Sequence, residues 1–222
     1  MPAAEKMPVD DYVLITAAHD EEAFIEGTIR SVLCQRTRPL RWVIVSDASV
    51  DRTDEIASKF ARENPFIEFV RLDAGHRHDF GAKVHALRVG YEKCSNLSFA
   101  FIGILDADVS FGPDYYSSLI ETLEQEPSLG ITGGSICESQ GDAFTSRKGN
   151  RTYSVAGATQ FFKRDCFESI GGITPLRYGG EDWCAEVCAR MIGWTVRSNP
   201  GLRMLHHRPT GSAGGDRSSP LS

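Results

Sequence analysis

Asp106-Ala107-Asp108 is the sharpest chemical feature of the chain, and it follows the most apolar run, Phe99 to Leu105. Residues two apart on an extended backbone face the same side, so both carboxylates project together while Ala107 points away. Carboxylates that close repel unless a cation or hydrogen-bond donors lie between them. A divalent cation bridging to phosphate oxygens is the natural occupant. Mg2+ and Mn2+ take one or two protein carboxylates and complete their shell with phosphate and water. The triplet alone is common. It gains weight because acids recur after other apolar runs: Asp20, Glu21 and Glu22 after Tyr12 to Thr16, Asp47 after Trp42 to Val45, and Asp73 after Phe66 to Leu72. One such aspartate is equally a turn or N-cap residue. Acids at four strand ends in a row point instead to a ligand.

Glu181-Asp182 stand behind Gly179-Gly180 at the start of an amphipathic stretch. Acids in a first helical turn offset the helix dipole by about 0.3–1 kcal/mol with no catalytic role. Taken alone the pair reads first as capping; beside the other acids, a carboxylate there reads as a general base. His206 and His207 close an apolar strand, Leu202 to Leu205, and alternation sends their rings to opposite faces. One suits a metal; the other suits packing or the surface.

The elements that must position these groups alternate. Tyr12–Thr16, Trp42–Val45, Phe66–Leu72 and Phe99–Leu105 read as buried strands. Between and after them, Glu21–Gln35, Asp54–Glu63, Ala82–Cys94 and a stretch from Pro113 to Pro127 carry apolar residues at helical spacing. That order predicts an α/β fold with a mostly parallel central sheet and helices on both faces. Such sheets bind ligands beyond the carboxyl ends of their strands, where these acids lie. After residue 129 the pattern loosens. Strands are expected at Leu129–Cys137, Thr159–Phe162 and Leu202–Leu205, with a short helix ending at Gly171-Gly172 and a helix over Glu181–Ile192. Glu138–Tyr153 reads as a polar loop, and its Arg147-Lys148-Gly149-Asn150-Arg151 run is either a solvated loop or a lid over a ligand. Residues 1–11 form an extension, 12–210 a single domain whose second half, 129–210, is a substrate-binding part appended to 12–128, and 211–222 a disordered Gly/Ser-rich tail.

Composition narrows the classes. The 222 residues carry 24 Lys+Arg against 30 Asp+Glu, a net charge of −6, with 41% hydrophobic residues. These are globular proportions, and the acidic balance argues against a nucleic-acid partner. No apolar run approaches the ~20 residues that span a bilayer. The polar N-terminus predicts a cytoplasmic location, with peripheral attachment at a membrane as the alternative. Cys34, Cys94, Cys137, Cys166, Cys184 and Cys188 form no Cys-x-x-Cys pair and read as reduced thiols. Ala17-Ala18-His19-Asp20 stands where a glycine-rich phosphate loop would follow the first strand, so a cation must neutralise any diphosphate.

Four segments, in this order and spacing, make the chain resemble the family 2 glycosyltransferases. They are Ile15-Thr16-Ala17-Ala18-His19-Asp20-Glu21-Glu22, Val43-Ile44-Val45-Ser46-Asp47-Ala48-Ser49-Val50-Asp51, Asp106-Ala107-Asp108 as a DXD motif, and Gly179-Gly180-Glu181-Asp182-Trp183. The resemblance implies a GT-A fold, Rossmann-like with a smaller acceptor-side subregion. It implies inverting transfer of a sugar from a nucleotide diphosphate, UDP-linked donors favoured, to a saccharide, lipid-linked or small-molecule acceptor, with Mn2+ or Mg2+. By the same resemblance Ala17, Glu21, Asp47, Lys83, Asp106, Ala107 and Glu181 line the nucleotide-sugar site, Asp47 accepting from the base. Asp182 is the catalytic base, and Asp108 with His206 or His207 holds the metal. Ala17, Asp20, Ser46 and Ala48 depart from the family's usual residues without removing a charge that the chemistry needs.

Other readings stand beside this one. A sugar-nucleotide nucleotidyltransferase would use similar acids but needs the missing phosphate loop, and a non-catalytic binding module would not need Asp182. His76-Arg77-His78 between Asp73 and Asp79 is either a second metal cluster or a polar loop near the diphosphate. Trp183 is either an acceptor-pocket or a core residue.

Overall fold

The structure is a computed structural model that describes residues 11–73, 80–140, 143–176 and 179–208. Residues 1–10 of the terminal extension, the tail and the His76-Arg77-His78 cluster lie outside the described residues. Strands β1 (Tyr12–Ala18), β2 (Arg41–Asp47), β3 (Ile67–Leu72) and β4 (Phe101–Ile104) are the four expected from the first half. Between and after them run helices α1 (Ile25–Leu33), α2 (Thr53–Glu63), α3 (Phe80–Cys94) and α4 (Tyr115–Gln125). The second half adds β5 (Val109–Phe111), β6 (Leu129–Gln140), β7 (Ala143–Ser146), β8 (Phe161–Lys163), α5 (Arg164–Ser169), α6 (Glu181–Met191) and β9 (Thr195–His206).

The described residues form one nine-stranded sheet in the order β3-β2-β1-β4-β8-β6-β9-β5, with β7 paired to β6. β1 to β4 are mutually parallel, and β6 and β9 run with them; β5, β7 and β8 run against them. The sheet is therefore mostly parallel, as the element order predicted, and passes through both halves.

Period-two alternation divides the core. Tyr12, Leu14, Trp42 and Ile44 face α1, α2 and α4, meeting Ile25, Ile29, Phe60 and Leu119. Val13, Ile15, Val43 and Val45 face α3, α5 and α6, meeting Val84, Leu87, Phe167 and Ala189. Strands covered on both faces read as unbroken apolar runs, which is why β1, β2 and β4 were legible. No helix among the described residues is long and apolar enough to cross a membrane.

The structure differs from the sequence expectations in four places. α1 begins at Ile25, because the carbonyl of Glu21 takes the N–H groups of Phe24 and Ile25 in a preceding turn. Asp106-Ala107-Asp108 is not extended: β4 ends at Ile104, residues 107–108 turn, and β5 starts at Val109. Part of the expected polar loop is the exposed strand β7. β9 is far longer than Leu202–Leu205, and its register with β6 jumps where Gly134 on Asn199 gives way to Ser135 on Arg203, around Pro200. A proline cannot donate to the ladder, so a strand bulges past it.

α3 lies close on β1 because Gly90 has no side chain: a Cβ there would sit 2.4 Å from Ile15 Cγ2. Gly90→Val is expected to cost about 1–3 kcal/mol by overpacking. Thermal unfolding should report this as a drop of about 2–4 °C per kcal/mol.

Candidate active site

The loops after β1 and β2 are tied together by their own acids. Asp20 and Ala48 both adopt left-handed backbone, each at φ 52°. The Asp20 carboxylate accepts from Val50 N–H at 2.8 Å, Ser49 Oγ accepts from Asp20 N–H at 3.2 Å, and Ala48 N–H donates to Leu72 O at 3.1 Å. Asp51 accepts from Glu22 N–H at 2.9 Å, while Glu22 accepts from Arg52 N–H at 3.1 Å. Asp20, Glu22 and Asp51 thus build the rim. Asp47 ends β2, with its carbonyl 2.6 Å from His19 Nδ1, and Ala17 lies opposite Val45 near the end of β1.

The turn after β4 faces this rim. Thr28 of α1, a polar residue within the buried Ile25-Ile29-Val32 face, lies beneath it. Its hydroxyl is 2.7 and 2.8 Å from the carbonyls of Ala107 and Val109 and accepts from Val109 N–H at 3.1 Å. Ala107 is buried in the core, and of the two acids beside it Asp108 is also buried while Asp106 is half-buried. β9 pairs with β5 and β6 so that His206 stands opposite Val109 and Glu138. Ligand atoms of Asp106, Asp108 and His206 then all lie within 4.8 Å of one another.

Electrostatics separate the two aspartates. Burial would raise the Asp106 carboxyl, but Lys83 Nζ at 2.9 Å, by charge and hydrogen bond, holds it below the usual range. Burial and the charge of Asp106 push Asp108 up, against the pull of His206 and Arg208. Burial would lower Lys83, yet Asp106, then Glu181 and Asp182, carry it above an ordinary lysine. Burial pushes Glu21 up to about 8, with Arg208 opposing and Asp108 and Asp106 reinforcing the shift.

These residues fit a divalent cation. His206 Nδ1 is buried without a hydrogen-bond partner among the described residues, and Nε2 lies 3.5 Å from Asp108 Oδ1. Two carboxylates and one imidazole form a hard, mixed O/N donor set, and acids packed this tightly gain from a central positive charge. His207 is placed apart: its Nε2 lies 2.8 Å from Ser110 Oγ, and its ring stacks on Phe24 at 6.1 Å.

Lys83 also lines a cleft with Ile104, Gly157, Gln160, Glu181 and Asp182. Gly179 and Gly180 turn the chain through positive φ into α6. The Asp182 carboxylate accepts from Gly157 N–H at 3.0 Å and Trp183 N–H at 2.8 Å. Its carbonyl accepts from Gln160 Nε2 at 3.0 Å. A Cβ on residue 157 would lie 3.1 Å from Asp182, so glycine permits this approach. One turn along α6, Glu186, only 1% exposed, accepts from Val155 N–H at 2.6 Å and Ser154 Oγ at 3.1 Å and pairs with Arg190. Trp183 is 67% exposed and is not a core residue.

Sequence reasoning passed over Thr28, Gly157, Gln160, Glu186 and Arg208. Only two carried a signal: a threonine on an otherwise apolar helix face, and an arginine directly after the paired histidines.

The fold defined by this sheet and its acid-lined edge is that of the GT-A glycosyltransferases. The mannosyltransferase PcManGT from Pyrobaculum calidifontis, in complex with GDP-Man and Mn2+, aligns with a TM-score of 0.69 at 19% identity, over 90% of this chain and 58% of its own. TarS 1–349 of S. aureus with UDP-GlcNAc aligns with a TM-score of 0.70 at 14% identity, over 96% and 62%. Residues 13–179 match the family model of Glycosyl transferase family 2, and the chain belongs to that family. It is also similar to the poly-beta-1,6-N-acetyl-D-glucosamine synthase of Staphylococcus aureus, 29% identical over 126 residues, 57% of this chain and 28% of the relative. The Staphylococcus epidermidis synthase is 28% identical over 131 residues, 59% and 30%. The chain thus spans under a third of the curated relatives it matches.

Thr28→Val removes the hydroxyl beneath the Asp106–Asp108 turn. It is expected to cost about 1–3 kcal/mol, since buried backbone groups lose their partner. Chemical denaturation measures that loss, and a Mn2+ titration of the folded variant should show weaker binding.

Proposed function

We propose that the chain transfers a sugar from a nucleoside diphosphate donor to an acceptor hydroxyl with inversion at the anomeric carbon. The observation that carries this reading is the convergence of Asp106, Asp108 and His206 beside a cleft that Lys83 shares with Asp182. Asp106, Asp108 and His206 would hold the cation, with His207 left to pack against Phe24. An imidazole ligand favours Mn2+ over Mg2+. When bound, the cation would offset charge on the departing diphosphate.

The remaining work falls to the chain. Ala17, Glu21 and Asp47, at the ends of β1 and β2, receive the nucleoside. Asp47 accepts from the base, and Asp106 and Ala107 border the donor's ribose and diphosphate. Lys83 keeps Asp106 ionised and brings positive charge to the side of the cleft facing α6. Glu181 and Asp182 bound the sugar and acceptor side. Asp182 takes the proton of the acceptor hydroxyl as its oxygen attacks from the face opposite the diphosphate. The hydrogen bond from Gly157 N–H fixes one carboxylate oxygen, and a carboxylate oxygen has a second lone pair for the incoming proton. A single displacement with one base inverts the anomeric centre.

TarS in complex with UDP-GlcNAc and the curated N-acetyl-D-glucosamine polymer synthases support a UDP-linked donor, and the GDP-Man complex makes GDP-linked sugars the comparison. The acceptor is a saccharide, a lipid-linked sugar or a small molecule. The same reading places the chain in the cytoplasm, free or at a membrane surface.

A panel of UDP- and GDP-sugars with Mn2+, followed by thermal shift and nucleoside diphosphate release, tests the reading. One donor class should stabilise the protein only with the cation, and Asp108→Ala should abolish that effect. Asp182→Asn should retain donor binding and lower transfer by about 10²–10⁴-fold, the usual size of general-base assistance. Transfer that is indifferent to Asp182→Asn removes the assigned base. If neither donor class binds, with or without metal, the glycosyl-transfer reading fails.

A further inference from the structure

Arg208, just beyond β9, touches both acids that Lys83 leaves uncompensated. Its Nη2 donates to Glu21 Oε2 at 2.6 Å, and its Nε lies 4.0 Å from Asp108 Oδ2. The guanidinium carbon lies 5.5 Å from the Phe24 ring centroid, and the side chain is 23% exposed. Asp108 therefore has two different neighbours. Oδ1 faces His206 at 3.5 Å, while Oδ2 faces the arginine at 4.0 Å. A cation held through Oδ1 and the Arg208 charge would stand across one carboxylate from each other, and like charges at that range in a half-buried site repel.

We propose that Arg208 is the resident counter-cation of this site. Without donor it braces Glu21 and Asp108 and weakens the binding of a divalent cation. With donor it turns its planar fork to the diphosphate, whose oxygens match it in charge and geometry. Relieving Asp108 then strengthens the cation's hold, so nucleotide and cation bind cooperatively, and by linkage the coupling is the same in both directions. The inference rests on the nucleoside-diphosphate reading above and adds a positioning residue that couples its two ligands.

The test needs no turnover. Free Mn2+ is followed by electron paramagnetic resonance in titrations of the full chain, alone and with UDP or GDP, in wild type, Arg208→Gln and Arg208→Lys. Arg208→Gln should bind Mn2+ alone about three- to tenfold more tightly, because a nearby positive charge is gone. With Mn2+ saturating, it should bind the nucleoside diphosphate about tenfold more weakly, having lost a charge-assisted fork. Arg208→Lys keeps the charge and should match wild type for Mn2+ alone while losing part of the diphosphate affinity. Structural damage would weaken both ligands and could not tighten one. Unchanged or weaker Mn2+ binding by Arg208→Gln, or an undiminished diphosphate affinity, overturns the proposal and leaves the glycosyl-transfer reading standing. A wild-type chain that binds Mn2+ but neither nucleoside diphosphate overturns both.

Discussion

Crowding of negative charge at one sheet edge is the constraint around which the rest of the site is arranged. Asp106, Asp108 and Glu21 are each partly withdrawn from water; Glu21 senses both aspartates, and Asp108 senses Asp106. Carboxylates in that position protonate, separate or find positive partners. The chain supplies two such partners from distant elements: Lys83 from α3, fixed on Asp106, and Arg208 beyond β9, between Glu21 and Asp108. His206 adds an imidazole whose Nδ1 is buried without a hydrogen-bond partner among the described residues. A site with three acids and two resident cations is suited to receive a divalent cation together with an anionic ligand rather than either alone.

Holding such a cluster requires a rigid support on every side. The acids of the loops after β1 and β2 are consumed in hydrogen bonds between those loops, which makes a firm rim. Thr28 anchors the Asp106–Asp108 turn from below. On the far side, β6 carries the load by pairing with β7, β8 and β9. That pairing brings the carboxyl end of β9, with His206, beside the turn after β4. The left-handed backbone at Asp20 and Ala48 is tolerated because hydrogen bonds surround it on both loops.

The side of the cleft formed by α6 is built by a different device. α6 is registered against the segment 154–160 by Glu186, Asp182 and Gln160, all bonding to backbone or to one another. Those bonds set the rotation of the helix, and with it the direction of Asp182. Glutamate at 186 is buried because it satisfies two donors and a guanidinium, the condition under which a charge can leave water. Trp183 remains exposed beside Asp182, which settles its two sequence readings against the core.

The sequence by itself determined the alternation of strands and helices, the division of β1 and β2 residues between two core faces, and the placement of acids after each parallel strand. Each of these is local: hydrophobic period and turn chemistry are written within a few residues. Membership of the glycosyltransferase family was likewise visible in four short segments. Tertiary structure decided the rest. β5 has three residues, too few for a period to show, and β7 is exposed along its whole length, so neither announced itself. The two carboxylates converge through a turn braced by α1 and not through an extended strand. Which histidine joins them depends on the register of β9 against β5, set beyond a bulge at Pro200. Arg208 meets Glu21 only because that register carries the segment after β9 back to the first loop. Such pairings join residues far apart in sequence, and their energy lies in cross-strand contacts that no local window contains.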